Sequence, residues 1–187
     1  MSTVFSEFEI LQIGIKFNSA EKYANIECIG SFEEGLNSKI ISKKCRGVVK
    51  KKVVRGDGTG TIKVSFHCPY DVYTQAYGMK LDNLIDGVVA YGQNSRHEAF
   101  SMTCNVKDED GNQKLKAYPN CIIESGVSRK IENGAEEVAE IELEINIMPD
   151  DDGNGMYEAL VEKLTDENVK NTWMTAFAPD LVKVASA

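Results

Sequence analysis

The segment 138–148 alternates apolar and polar side chains without interruption. One parity holds Ile141, Leu143, Ile145 and Ile147, and the other holds Glu140, Glu142, Glu144 and Asn146. A period of two is typical of a β-strand with one buried face. No basic residue lies within this strand, so the pattern predicts an acidic face that looks into water or towards something negatively charged.

Similar patterns predict further strands along the chain. The alternation in 9–17 and the run 23–29 indicate a pair of neighbouring strands. Shorter strands are predicted at 88–91, 99–106, 115–118 and 122–124. The polar stretch 107–112 has the composition of a hairpin turn.

A long basic hairpin is predicted in the first half of the chain. Residues 40–54 combine β-branched and basic side chains, and the glycine-rich stretch 55–60 supplies the positive φ angles of a tight reversal before a strand at 61–68. We therefore expect an extended cationic arm over 40–60.

Helical signals are few. Pro69 precedes tyrosines at helical spacing until Gly78, and 156–164 and 168–177 have helical periodicity before the apolar tail that follows Pro179. The chain therefore reads as one domain over 1–187, mainly β with short helices (α+β). One helix is expected on the sheets, and residues 155–187 form a helical C-terminal segment.

The charge is uneven along the chain. The net charge is −8, yet residues 1–70 hold 11 Lys or Arg against 7 Asp or Glu, whereas residues 71–187 hold 10 against 22. An acidic protein is a poor ligand for nucleic acid, because binding depends on neutralising phosphates. The asymmetry fits either ordinary solvated faces or complementary surfaces that meet between copies of the chain.

The N-terminus, the apolar stretches and the cysteines indicate where the protein would reside. The N-terminus has no basic segment followed by an apolar run, and no stretch approaches a membrane span. Five widely spaced cysteines are expected to be reduced core thiols in a reducing compartment.

Candidate catalytic and metal patterns fail on inspection. Asp150, Asp152, Asn154 and Gly155 match the start of a calcium loop, but Val161 stands where the closing Glu is needed, so a capped turn is the better interpretation. Two histidines without zinc spacing, no nucleophile elbow and no phosphate loop leave no cofactor, no metal and no enzyme predicted.

The C-terminal third resembles the end of major tail proteins of long-tailed, siphovirus-type bacteriophages. The residues that carry the resemblance are the strand at 138–148, the Met148-Pro149-Asp150 turn, Tyr157-Glu158-Ala159-Leu160 and the helix containing Trp173. Weaker similarity extends to 50–63 and 69–78.

This resemblance implies a β-sandwich tail-tube fold and a structural role. Six copies would close into a ring, and stacked rings would form a tube that conducts DNA. The implied partners are further copies, the tape-measure, terminator and distal tail proteins, and viral DNA passing without specific binding. No membrane is involved, and the protein would assemble in the bacterial cytoplasm and end in the virion.

Two groups of residues receive candidate roles in such a tube. Glu140, Glu142 and Glu144 are expected on the lumen, where they would repel DNA phosphates, although parity alone does not say which face lines it. Candidate ring-stacking residues are Lys43, Lys44, Arg46, Lys50, Lys51, Lys52 and Arg55.

Other functions stay open at this point. A tail terminator or adaptor ring has a similar fold, but the long arm and the charge split favour the tube. A β-sandwich binding module would use the loop at 150–158. A hydrolase would need one glutamate isolated from the row at 136–144, and nothing local isolates one.

Overall fold

The computed structural model describes residues 4–184 and is mainly β, as predicted. Its strands are β1 (Glu9–Phe17), β2 (Ala24–Ile26), β3 (Ile29–Cys45), β4 (Val48–Phe66), β5 (Phe100–Lys107), β6 (Gln113–Ile123), β7 (Ile141–Met148) and β8 (Tyr157–Leu160). The α-helices are α1 (Tyr70–Ala76) and α2 (Glu167–Ala176), and short 3-10 helices span Val161–Lys163 and Pro179–Val182.

Hydrogen bonds join all eight strands into one antiparallel sheet. The strand order is β2-β1-β5-β6-β7-β4-β3, with β8 added to β6. Strands near both ends of this order contribute to a single core, and β1 and β3 come into contact without pairing. The two layers expected of a sandwich therefore come from one sheet that curls around its inner face.

The inner face of the curled sheet holds the main core together with α1. It is built from the apolar parity of the strands: Ile13, Ile15, Phe17, Ile62, Val64, Phe66, Phe100, Met102, Cys104, Tyr118, Leu143, Ile145 and Ile147. In β7 the parity predicted from sequence is confirmed, because Leu143, Ile145 and Ile147 are buried while Glu142 and Glu144 are exposed.

A smaller core lies on the opposite face of β6. Leu115 and Ala117 pack there against Val169, Trp173 and Phe177 of the α2 region. The Trp173 indole donates to the carbonyl of Lys116 at 3.1 Å, which satisfies its one polar atom. Asp166 begins α2 by accepting the amides of Asn168 and Val169, so the Trp-containing helix is confirmed.

The hairpin reverses at a different place from the one predicted. The turn lies at Arg46-Gly47, whose φ angles of 51° and 80° are those of a two-residue type I′ turn. The glycine-rich stretch 56–60 instead lies inside β4, where Leu36 pairs with Gly60 and Ser38 with Gly56. Three residues, 57–59, therefore oppose Asn37 alone and form a bulge.

Other predictions were wrong in detail. Residues 88–91 form no strand. Residues 156–164 are not a helix but contain β8 and a 3-10 turn, because the backbone of 157–160 pairs with β6. The C-terminal segment predicted to reach residue 187 includes 185–187, which lie outside the described residues. Of the five free cysteines only Cys104 and Cys121 are core thiols, and Cys28 and Cys45 are exposed.

Candidate functional site: assembly surfaces

The hairpin formed by β3 and β4 extends far beyond the rest of the sheet. β7 pairs with β4 only from Gly60 to Phe66. Residues 37–59, here called the arm, therefore form a two-stranded ribbon to which no other strand within residues 4–184 is added. Nearly every arm residue is exposed, including Ile40, Ile41, Val48, Val49 and Val54. An isolated two-stranded ribbon is marginally stable in water, so the arm lacks the cover that a sheet or a partner provides.

Four of the arm's eight basic residues share one face. Pairing places Lys39 opposite Arg55, Ile41 opposite Val53 and Lys43 opposite Lys51. Directly opposed residues and their second neighbours share a face, so these six residues make one surface, the cationic face. Like charges set opposite each other destabilise the ribbon unless an anion offsets them.

The arm holds eight of the chain's 21 Lys and Arg residues but only one of its 29 Asp and Glu residues. Within residues 4–184, none of those eight basic side chains forms an ion pair. The remainder of the chain therefore carries 13 basic and 28 acidic residues. The predicted stacking residues all lie in this arm, and Lys43, Lys51 and Arg55 share the cationic face, whereas Lys52 points to the other face and Lys50 lies at a bulge.

The base of the arm is seated by backbone contact. Gly58 has φ +77°, and a Cβ there would lie 2.6 Å from the carbonyl oxygen of Gly153 and 2.8 Å from Pro149 Cβ. A Cβ on Gly155 would in turn meet the carbonyl of Gly58 at 2.2 Å. The bulge at 57–59 therefore rests directly on the β7–β8 loop, and glycine is required on both sides.

A buried charge network ties the root of the arm to the body. Lys116 is 1% exposed and its ammonium pairs with Glu34 of β3 and, at 2.6 Å, with Glu7 of the N-terminal segment. The Tyr118 hydroxyl donates to the second oxygen of Glu34. Because Glu34 lies just before the arm and Lys116 lies on β6, the network spans the interior between two walls of the sheet.

Desolvation and ion pairing act in opposite directions on this network. Burial alone would lower the pKa of Lys116, but its bonds to Glu34 and Glu7 outweigh it and raise the pKa. Burial likewise would raise the pKa of Glu7, yet the contacts with Lys116 and Lys114 leave it below its ordinary value. Burial raises the pKa of Tyr118, and the charge of Glu34 adds to that effect. The charged pairs are therefore the favoured state at neutral pH.

The predicted acidic strand lies in a polar sheet face that none of the helices in the described part of the chain covers. Glu144 is directly opposite Lys63, which is opposite Glu33, and Glu142 is opposite Ser65, which bonds to Ser31 at 2.8 Å. A lysine on the neighbouring strand thus interrupts the carboxylates, which the sequence of β7 alone does not reveal. Glu140 precedes β7 and packs its carboxylate against Gly30.

A cleft of about 1160 Å³ borders this face beneath the β6–β7 loop. Four carboxylates line it, Glu132, Glu137, Glu140 and Glu142. Its two basic residues are already engaged: Arg129 lies 4.5 Å over the Tyr73 ring and donates to its hydroxyl, and Lys130 pairs with Glu132 at 3.0 Å. We call this region the acidic cleft.

The loop at 150–158 forms a tight turn. The Asp150 carboxylate accepts the amides of Asp152 and Asn154 and, at 2.7 Å, the Tyr157 hydroxyl. Desolvation acts to raise the pKa of Asp150, but these bonds together outweigh it and hold the pKa below its usual value. The predicted turn is present, although Asp150 stabilises the turn itself and caps no helix. Across residues 4–184 there is no group of three or more His, Cys, Asp or Glu placed to hold a metal ion.

Sequence reasoning found the arm and the acidic row but missed the Lys116 network and the acidic cleft. The sequence does hold a signal for the Lys116 network. Lys116 follows Leu115 and precedes Ala117 and Tyr118, so it interrupts an apolar stretch of a strand. Its partners Glu7 and Glu34 are more than 80 positions away along the chain. Only the curl of the sheet brings them together.

The chain has recognisable likeness in fold but not in sequence. No protein-family model and no curated protein matches it. A chain in the cryo-EM structure of the anti-feeding prophage (AFP) baseplate, symmetrised six-fold, matches with TM-score 0.50 and 10% identity, over 88% of this chain and 100% of that one. A chain of the AFP tube-terminating cap matches with TM-score 0.47 and 10% identity, over 86% and 97%.

At this identity the likeness concerns the fold alone, and the comparison with the baseplate chain carries it. In residues 4–184, no helix combines the length and apolarity needed to cross a membrane. The curled sheet with its flanking helix is an architecture that this chain shares with a chain of the AFP baseplate structure.

Proposed function

We propose that this protein is a structural, non-enzymatic subunit of a bacteriophage tail, which self-associates through its arm. In the finer form of the proposal it builds the tail tube as stacked six-membered rings. The arm is the observation on which this proposal rests. A basic ribbon with exposed aliphatic side chains adds nothing to the core of the monomer, and such a surface is typical of a protein–protein contact. The fold shared with a chain of the six-fold symmetrised AFP baseplate supports the same conclusion.

The polar sheet face gives the proposed tube its conduit. Glu142 and Glu144, with Glu140 at its margin, are proposed to face the lumen. Exposed carboxylates repel DNA phosphates, so the genome would slide past rather than bind. The uncovered edge of β3 would be paired by a neighbouring copy, which removes the aggregation hazard of a free strand edge.

Electron microscopy of the purified protein tests the proposal. Negatively stained samples are compared over a range of concentrations at low and at high salt. We expect rings or tubes of constant diameter, reduced at high salt because charge contacts are screened. A protein that stays monomeric at every concentration would contradict self-assembly and favour a β-sandwich binding module.

A terminator or adaptor ring is the second candidate within the same class. Such a protein forms a single ring and does not stack on itself. Class averages that show single rings at all concentrations, with no ring stacks, would favour this candidate over the tube.

A further inference from the structure

The arm and the acidic cleft form a complementary pair of surfaces. The cationic face presents two pairs of opposed basic residues around Ile41 and Val53. The cleft presents four carboxylates, and the loop beside it exposes Ile131 and Val138 to 89% and 80%. Charge meets opposite charge and aliphatic side chains meet aliphatic side chains, so the match rests on two independent properties.

The two surfaces cannot meet within one molecule. Gly30, Ser31 and Ser65 line the cleft at the root of the hairpin, while Lys51 lies near its tip. Lys51 lies fourteen positions before Ser65 in β4. At a rise of about 3.3 Å per residue, and less the residues in the bulge, the two are roughly 40 Å apart. No arm residue lines the cleft.

We propose that the cationic face of one copy's arm docks in the acidic cleft of the next copy. The inference rests on the proposed self-assembly and adds the surface that receives the arm. It moves Glu140 and Glu142 from the proposed lumen to the contact between copies, so that Glu144 is the carboxylate that faces the lumen. Each copy then offers one arm and one cleft at opposite ends, so the contact is head-to-tail rather than two-fold. Head-to-tail contacts propagate without limit or close into rings, which is the symmetry a stacked assembly needs.

Docking also gives partners to Lys43, Lys51, Glu137 and Glu140, none of which forms an ion pair within residues 4–184. Lys43 and Lys51 repel each other in the free ribbon, and insertion between Glu137 and Glu140 turns that repulsion into attraction. The cost of ordering a marginal ribbon is offset by burying Ile41 and Val53 against the loop. The contact should weaken as salt rises, since both surfaces are exposed before they meet.

A charge-swap experiment tests the inference. The arm variant is Lys43→Glu with Lys51→Glu, the cleft variant is Glu137→Lys with Glu140→Lys, and the matched control is Glu109→Lys in the exposed β5–β6 turn. Assembly is followed by sedimentation and electron microscopy, and folding by circular dichroism. We expect each reversed variant alone to lose assembly by tenfold or more, the control to assemble normally, and the variant carrying all four substitutions to recover.

Restoration by the four-fold variant supports the inference, since two separate defects would otherwise add. If arm and cleft variants fail alone and the combined variant also fails, the arm docks elsewhere and this inference is wrong. If the cleft variant assembles like wild type, the inference is likewise wrong while self-assembly stands. If wild type itself never assembles, the proposed function and the inference fail together.

Discussion

Lys116 shows how one buried residue connects parts of the molecule that are distant in sequence. A lysine in an apolar interior is tolerated only when its charge is paired and hydrogen-bonded. Here the N-terminal segment supplies Glu7 and the root of the arm supplies Glu34, so one ammonium fixes both. Two contacts thus hold the arm to the body: the ion pair of Glu34 with Lys116, and the backbone contact of Gly58 with the β7–β8 loop.

Replacing Lys116 by Met should destabilise the fold strongly. The substitution leaves Glu34 without its cation and Glu7 with Lys114 alone, and we expect a loss of about 3 kcal/mol, the order seen when one partner of a buried ion pair is removed. Urea unfolding at neutral pH measures it. Lys63→Met is the control, because Lys63 is exposed on the polar sheet face and should change stability by less than about 0.5 kcal/mol. Equal effects of the two variants would show that the network is not structural.

The network also predicts a pH dependence. Because the pKa of Glu7 is lowered in the folded state, its contribution is present above the unfolded value near 4.5 and is lost as pH falls through the folded pKa. The variant Glu7→Gln should therefore be less stable than wild type at pH 7, by at most about 1 kcal/mol since Glu7 is partly exposed. The difference should shrink below pH 4.5. A difference that stays constant from pH 7 to pH 3 would contradict this account.

At the scale of elements, the strands were largely predictable and the turns were not. β1, β5 and β7 follow from alternation, because a strand with one buried face must repeat every two residues. The hairpin reversal was misplaced since glycine supports a bulge as readily as a turn, and only the pairing of β3 with β4 distinguishes them. Residues 157–160 look helical in isolation but are recruited as β8 by the free edge of β6.

The inner face of β7 gives the most direct test of that parity. Leu143→Asp places a carboxylate among buried aliphatic side chains, with no partner, at a cost of several kcal/mol. We expect an unfolded or aggregated protein by circular dichroism and gel filtration. The neighbouring Glu142→Gln, on the exposed face, should remain folded. A folded Leu143→Asp protein would mean that the parity is inverted.

Two glycines with positive φ separate backbone strain from crowding. In Gly47→Ala the new methyl group at the turn meets no atom within 4 Å. The free energy of unfolding should fall by about 1 kcal/mol, because alanine is strained at a φ of +80°. Gly58→Ala has the same backbone strain at a φ of +77° and also places a methyl group against the Gly153 carbonyl. We therefore expect a loss of roughly 2–4 kcal/mol in the free energy of unfolding. Thermal unfolding compares them, and hydrogen exchange should show a loosened arm in Gly58→Ala. Equal losses would mean that the bulge does not rest on the β7–β8 loop.

For the whole molecule, the sequence indicated the separation of charge but not where the charges meet. Composition reveals a basic first part and an acidic remainder, and the arm follows directly from the pattern in 40–54. The acidic cleft does not, because its walls come from the β6–β7 loop, β3, β4 and β7, which are joined only by folding. Surfaces made of distant segments have no local signature.

Reversing the charge of the arm should separate folding from assembly. Lys50, Lys51 and Lys52 are all exposed, so changing them together to Glu should leave the monomer folded, each at a cost below about 0.5 kcal/mol. Rings or tubes should nevertheless be lost. Circular dichroism checks the first expectation and electron microscopy the second. Tubes that persist at the same salt would show that the arm is not the contact element.

The length of the hairpin would determine the spacing of copies in the proposed assembly. If arm and cleft join successive copies, the axial repeat of the assembly is set by the number of residues between the two surfaces. Two facing pairs added between the two surfaces would preserve the parity of both strands and lengthen the arm by about 7 Å. The chain would then encode a spacing in its number of residues, so a family of assemblies with different repeats needs only hairpins of different length.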